Sequence, residues 1–170
     1  MKRDILVPFD GSDNALEALS LAITLAKALQ EKVILLNVQH TFHTPHVKKF
    51  FNEATIKAYQ QQLFEEAVAP ARDILTSANV PYELKLRIGD PKEQICDEAQ
   101  AGGGDACATT GIRMIVMGSR GMNPIMGGVL GSVSYGVINS ALCPVTIVPF
   151  SCLAKEEAAA AEESEMTPLP

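Results

Sequence analysis

Four stretches of this 170-residue chain are almost continuously apolar: DILVPF (4–9), KVILLNV (32–38), RMIVMGS (113–119) and PVTIVPF (144–150). A strand with one wet face alternates apolar and polar residues, and these do not. Such runs suit strands buried on both faces, the condition of a parallel sheet sandwiched between helices. A fifth segment, YELKLRI (82–88), does alternate. Tyr82, Leu84, Leu86 and Ile88 point one way and Glu83, Lys85 and Arg87 the other. It is expected to have one wetter face, at a sheet edge.

Helical patterns lie between the runs. Ala15, Ala18, Leu19, Ala22, Leu25, Ala26 and Leu29 form a stripe at helical spacing, and Ser12, Asp13 and Asn14 suit its start. Thr44 before Pro45 offers a second helix start, and Pro70 is expected to kink or interrupt that helix. Its aromatic residues Phe50, Phe51, Tyr59 and Phe64, with Leu63, are expected mostly to cover the sheet. GDPKEQ supplies Asp90 as cap, Pro91 at the first helical position and Glu93 as the capping-box partner. A last helix begins near Gly131 or Ser132, with Val133, Val137, Ile138 and Ala141 inward. The order β-α-β-α-β-α-β-α-β predicts an α/β fold with an open, doubly wound, five-stranded parallel sheet, Rossmann-like and flanked by helices.

Composition narrows the function. No apolar run approaches the roughly 18 residues of a membrane span, and Pro8 and Asp10 break the first one too early for a cleaved signal peptide. Cys96, Cys107, Cys143 and Cys152 are scattered without a C-x-x-C pair, which reads as reduced thiols in a cytoplasmic protein. The net charge is −6, and the segment after Leu153 contributes most of it through five Glu against one Lys. Neither part is basic, so an extended nucleic-acid backbone is not an expected partner.

Between the fourth run and the last helix lies MGSRGMNPIMGGVLGSVSYGVI (117–138), which is rich in glycine and has one charged residue. In doubly wound sheets ligands bind beyond the carboxyl ends of the strands, where strand order reverses. Gly118 and Gly121 allow close backbone approach there. Gly131 and Ser132 open a helix whose first amides suit phosphate, and Ser132 and Ser134 add hydroxyls. The chain has neither the P-loop G-x-x-x-x-G-K-[ST] nor the dinucleotide G-x-G-x-x-G. A loop that needs glycine simply for turning is the competing reading.

The spacing Gly118-x2-Gly121-x9-Gly131-Ser132 resembles the nucleotide-binding signature of the universal stress protein family. ILVPFDGSDNALEALSLAITLA resembles that family's first strand and helix. VILLNV resembles its second strand, and RMIVMGSRG and SALCPVTIVP its fourth and fifth. The similarity runs over 1–150, leaving 151–170 as an acidic Ala/Glu-rich tail expected to be partly disordered. It implies an adenine nucleotide alpha hydrolase-like fold of the ATP-binding branch. By position it implies that Asp10, with Pro8 and Phe9, lines the ribose and phosphates and that Val38 packs near adenine. Met117, Gly118, Arg120 and Gly121 would wrap ribose and phosphates, and Gly131, Ser132, Val133 and Ser134 would hold phosphate. It further implies ATP, AMP or ADP as ligand, Mg²⁺ bridging phosphates and Asp10, and a homodimer through the fifth strand, Pro144–Phe150.

The residues themselves leave alternatives open. Asp10 also suits a turn or helix cap, Val38 also suits plain packing, and Arg120 reaches phosphate or solvent equally well. Arg113 stands where the family usually has an acidic residue, after an inserted AGGGDACATTG (101–111) at the far end of that strand. His40, His43 and His46 recur every third residue, but a solvated loop fits them better than a metal site. No G-x-S-x-G elbow is present. Function is expected to be adenine-nucleotide binding in stress regulation with at most slow hydrolysis. A nucleotide-independent dimeric adaptor and a nucleotide-dependent enzyme on the same fold are the alternatives.

Overall fold

A computed structural model describes residues 3–41, 52–101, 111–121 and 130–149. Its elements follow the expected alternation: β1 (Asp4–Pro8), α1 (Asp13–Leu29), β2 (Lys32–Gln39), α2 (Glu53–Ala78), β3 (Tyr82–Ile88), α3 (Pro91–Ala101), β4 (Ile112–Gly118), α4 (Ser132–Ser140) and β5 (Val145–Val148). All five strands are parallel, in the order β3-β2-β1-β4-β5. From β1 the chain adds β2 and β3 on one side and then returns to add β4 and β5 on the other. The reversal lies between β1 and β4.

Three of the four apolar runs, those of β1, β2 and β4, are buried on both faces, whereas β5, with no neighbour strand on its outer side, is only partly buried along its length. Ile5, Val7, Phe9, Val33, Leu35 and Val116 pack with α1 and α2, while Leu6, Ile34, Leu36, Ile115 and Met117 pack with α3 and α4. Each of these is at most 5 % exposed. β3 is an edge strand, as its alternation predicts. Tyr82, Leu84 and Leu86 pack on the α1–α2 core. On the opposite face Lys85 and Arg87 both bond the buried carboxylate of Glu98 on α3. Among the described residues no helix is long and apolar enough to cross a membrane.

Several expectations are corrected. Pro70 does not interrupt α2, which continues to Ala78. Pro70 is exposed, so the carbonyl it leaves without an amide partner faces water, while Val68, Ala71 and Leu75 anchor the helix on its inner side. Tyr59 is exposed and Phe64 buried, since only one face of α2 meets the sheet. In α1 Leu29 is exposed and Leu25 half-buried, whereas Ile23 and Asn14 are buried. Ile138 of α4 is exposed too, because the helix sits on the sheet's flank and turns only the Val137 side inward.

Thr44, Pro45, Phe50, Phe51, His43, His46, Cys107, Cys152, the 102–110 stretch and the tail from Phe150 lie outside the described residues. The described part of α2 starts at Glu53, capped by the Asn52 side chain.

Arg113 finds its reason at the amino ends of the strands. Its guanidinium donates two hydrogen bonds, 2.6 and 2.5 Å, to Glu31 in the turn between α1 and β2. Burial pushes the Glu31 carboxyl up, but Arg113 and the Arg3 amide more than offset this and hold it below its ordinary value.

Candidate functional site

The carboxyl ends of β1 and β4 flank the point where strand order reverses, the place where open α/β sheets bind ligands. The residues after β1 form a tight turn. Asp10 Oδ1 accepts hydrogen bonds from the Ser12 amide (3.0 Å) and the Ser12 hydroxyl (2.6 Å), and Gly11 takes φ +86° between them. Ser12 in turn caps α1 through the Ala15 amide. Asp10 thus does shape the turn, and its exposed carboxylate also reaches the glycine loop. A Cβ added at Gly121 would lie 2.6 Å from Asp10 Oδ2.

The glycines fit against protein groups. A Cβ at Gly118 would meet Asn14 Oδ1 at 2.7 Å, and one at Gly131 would meet the Ser119 carbonyl at 3.2 Å. Gly118 and Gly131 therefore let the turn after β4 nest against the starts of α1 and α4. The Gly131 amide donates to the Ser119 carbonyl (2.8 Å), and the Ser134 hydroxyl donates to the Gly118 carbonyl (2.9 Å). Ser134 is buried, so its hydroxyl secures α4 to β4 rather than facing outward. Ser132 is exposed at the first position of α4, and Val133 is half-buried behind it.

The start of α4 differs from the other helix starts. Ser12, Asn52 and Asp90 each cap a helix with a side-chain oxygen. At Gly131, among the described residues, no side chain caps the helix. The first-turn amides of α4 therefore present donors and a partial positive charge beside the Ser119–Gly121 turn.

The remaining candidates divide. Pro8, Val38, Met117, Gly118, Arg120 and Gly121 all sit at or just past the carboxyl ends of β1, β2 and β4. Phe9 is 2 % exposed and Met117 5 %, so their side chains belong to the core. The Phe9 carbonyl accepts from the buried side-chain Nδ2 of Asn37 at 2.9 Å. Val38 and Val133 both flank the α3–α4 core cluster and leave part of their surface open. Gln39, next along the strand and so on the opposite face from Val38, donates to Asn37 Oδ1 at 3.2 Å, and its buried Oε1 has no hydrogen-bond partner among the described residues.

This donor-rich, lysine-poor end fits a nucleotide. It fits a protein-held metal less well. Among the described residues no three His, Cys, Asp or Glu side chains converge, so Asp10 would share any Mg²⁺ with phosphate oxygens.

Two residues carry little site signal in the sequence. Asn14 reads there as one of three polar residues at a helix start, yet it is 3 % exposed and bonds both the turn after β4 and the end of β5. Asn37 lies in an otherwise apolar strand, and that exception was the signal available. A cleft of about 410 Å³ opens at the opposite, amino ends of the strands, lined by Asp4, Lys32, Lys85, Arg87 and Glu98 among others. Its charges pair with one another, Lys32 with Glu83 at 2.7 Å and Lys85 with Glu98 at 2.8 Å. It offers no helix start and is remote from the glycine turn.

Comparison with known proteins identifies the family and the fold. The family model described as Universal stress protein family matches residues 1–149. The chain is 29 % identical over 155 residues to the universal stress protein YxiE of Bacillus subtilis, covering 87 % of this chain and 99 % of that one. Among solved structures, the hypothetical protein MJ0577 superposes with a TM-score of 0.73 at 26 % identity, covering 89 % of this chain and 98 % of its own. A universal stress protein solved in complex with cAMP superposes with a TM-score of 0.57 at 25 % identity, covering 88 % and 98 %. A model match over nearly nine-tenths of the length, on a sheet of the same topology with its glycine turn at the reversal point, establishes that the chain belongs to the universal stress protein family.

Proposed function

We propose that the chain binds an adenine nucleotide, ATP foremost, in the crevice between the carboxyl ends of β1 and β4. The observation that carries this reading is the start of α4, which lacks a capping side chain and faces the glycine turn. A hydrogen bond to a charged group contributes about 1.5–3 kcal/mol. Amides from Ser132, Val133 and Ser134, with the Ser132 hydroxyl, would hold a phosphate chain without a lysine. Asp10 and Pro8 would line the ribose, Arg120 would reach phosphate, and Val38 would meet the base. Mg²⁺ would enter with the phosphates, against Asp10. The complex solved with cAMP supports an adenine nucleotide as the ligand class.

The protein acts as a cytoplasmic regulator that holds nucleotide rather than turning it over quickly. Rapid phosphoryl transfer needs concentrated charge stabilisation and a positioned nucleophile. Turnover of about 1 s⁻¹ or faster, within the usual enzyme range, would instead favour an enzyme.

The partner is a second copy, paired through β5 and its flanks, Pro144–Phe150. β5 is an edge strand, and no charged residue occurs between Gly121 and Ala154. Natural edges that must stay single are guarded by charge. Tyr135, Ile138 and Leu142 extend the exposed apolar surface beside that edge.

Two measurements test the nucleotide reading. Denaturing the purified protein and weighing the released small molecules should find an adenine nucleotide. Gly131→Val keeps an allowed backbone φ of −63° but presses its Cβ on the Ser119 carbonyl at 3.2 Å, and should lower ATP affinity at least tenfold in titration calorimetry while the far-UV spectrum is unchanged. Undiminished ATP affinity in that variant overturns the site.

A further inference from the structure

We propose that Asn14 is a positioning residue, the joint that holds the phosphate-facing turn after β4 to the end of β5. The proposal rests on the nucleotide reading above for its functional meaning, but its structural content stands on its own. The Asn14 side chain is buried at the centre of four elements. Its Oδ1 accepts hydrogen bonds from the Arg120 amide at 2.9 Å and from the Ser119 hydroxyl at 3.3 Å. Its Nδ2 donates to the Val148 carbonyl at 3.2 Å. That carbonyl also accepts from the Ser119 amide at 2.8 Å, and the Ser119 carbonyl accepts from Gly131 at the start of α4. One amide group thus connects α1, the turn, β5 and, through Ser119, α4.

The chemistry requires this side chain. An acceptor is needed toward Arg120 and a donor toward Val148, and only an amide of this length supplies both from one position. An aspartate keeps the acceptor and loses the donor. An alanine loses both and leaves the Arg120 amide to seek another partner. Gly118 has no side chain where a Cβ would strike Asn14, so the sequence leaves room for this group. The Ser119 and Arg120 amides are thereby spent within the protein, so what the joint fixes is the place of the turn and, through Ser119, of the α4 start whose amides would meet phosphate; the strand end expected to meet a second copy shares the same anchor. Oriented donors are what phosphate binding needs, whereas the base at Val38 lies beyond the reach of these bonds.

The test compares the full-length protein with Asn14→Ala and Asn14→Asp, using hydrogen exchange read by mass spectrometry and titration with ATP and with adenosine. In Asn14→Ala, exchange at 119–121 and at 145–148 should speed up together by about tenfold or more, with β1 and β2 within about twofold of wild type. In Asn14→Asp, 145–148 should speed up while Arg120 stays protected. This second variant also serves if the alanine form does not fold. ATP affinity should fall at least tenfold in Asn14→Ala and adenosine affinity by less than about twofold, a split that simple destabilisation would not produce. Uniform acceleration across the sheet, unchanged exchange at either segment, or equal losses for ATP and adenosine would each overturn the proposal. A wild type that binds no ATP defeats the nucleotide reading alone, and the exchange data then decide the role of Asn14.

Discussion

Replacing Gly118 with alanine probes the packing on which the site depends. The added Cβ would sit 2.7 Å from Asn14 Oδ1, 2.8 Å from its Cγ and 3.0 Å from its backbone oxygen. Contacts under 3.0 Å are essentially never made by real Cβ atoms, so Asn14 or the end of β4 must move. If the Asn14 side chain swings aside, it gives up its bonds to Arg120 and Val148. Each net hydrogen bond contributes about 0.5–1.5 kcal/mol, giving a loss of about 1–3 kcal/mol. If it stays, overpacking costs about the same. These are alternatives rather than a sum, so about 2 kcal/mol is expected.

In a chain of this length 1 kcal/mol moves Tm by about 2–4 °C, which places Gly118→Ala about 4–8 °C below wild type. Gly121→Ala is the control. Among the described residues its Cβ meets only Asp10, with Oδ2 at 2.6 Å, on an exposed side chain whose Oδ1 is bonded to Ser12. Only exposed hydrogen bonds are at stake, so its stability should fall by no more than about 1 kcal/mol, while ATP affinity falls because Asp10 is displaced. Thermal unfolding by circular dichroism, paired with ATP titration, reads both. A Gly118→Ala protein within about 1 °C of wild type, or a Gly121→Ala protein equally destabilised, would refute the reasoning.

Two further outcomes follow from the buried charges. Arg113→Met should cost about 2 kcal/mol in urea unfolding by leaving Glu31 buried without its partner. This is less than the roughly 3–5 kcal/mol of a fully buried pair, because Arg113 is a third exposed. Adding Glu31→Gln should recover more than half of it, and a single variant as stable as wild type would contradict the account. For Glu98, burial raises the carboxyl, but Lys85 and Arg87 outweigh it and hold the pKa below its ordinary value. A depressed carboxylate stabilises the fold above its unfolded pKa and stops doing so as pH falls through the folded value. The Tm gap between wild type and Glu98→Gln should therefore be widest at neutral pH and close as pH drops below about 4. A gap as wide at pH 3 as at pH 7 would show that the Glu98 charge is not its source.

The sequence by itself determined the number and kind of elements and the end of the sheet where a ligand would sit. Apolar continuity and helical spacing are local properties, and they placed β1, β2 and β4 as strands buried on both faces; the equally apolar β5 lies at an edge and is only partly buried. Alternation placed β3 at an edge. Ser12 and Asp90 were legible as caps because a cap bonds amides two or three residues away.

Only the tertiary structure decided which polar groups meet. Asn14 and Val148 are 134 residues apart and Glu31 and Arg113 are 82 apart. Neither pairing has a local pattern, since each is created by the order in which the strands are laid down. The same order turned Phe9, Met117 and Ser134 inward, and it made α4 one-sided, so that Ile138 stayed in water. Pro70 shows the reverse case: a local breaker rule overridden, because one lost hydrogen bond on an exposed face weighs less than the buried stripe of Val68, Ala71 and Leu75. Short-range chemistry fixes what each segment can be, and long-range packing fixes which donors and acceptors it will find.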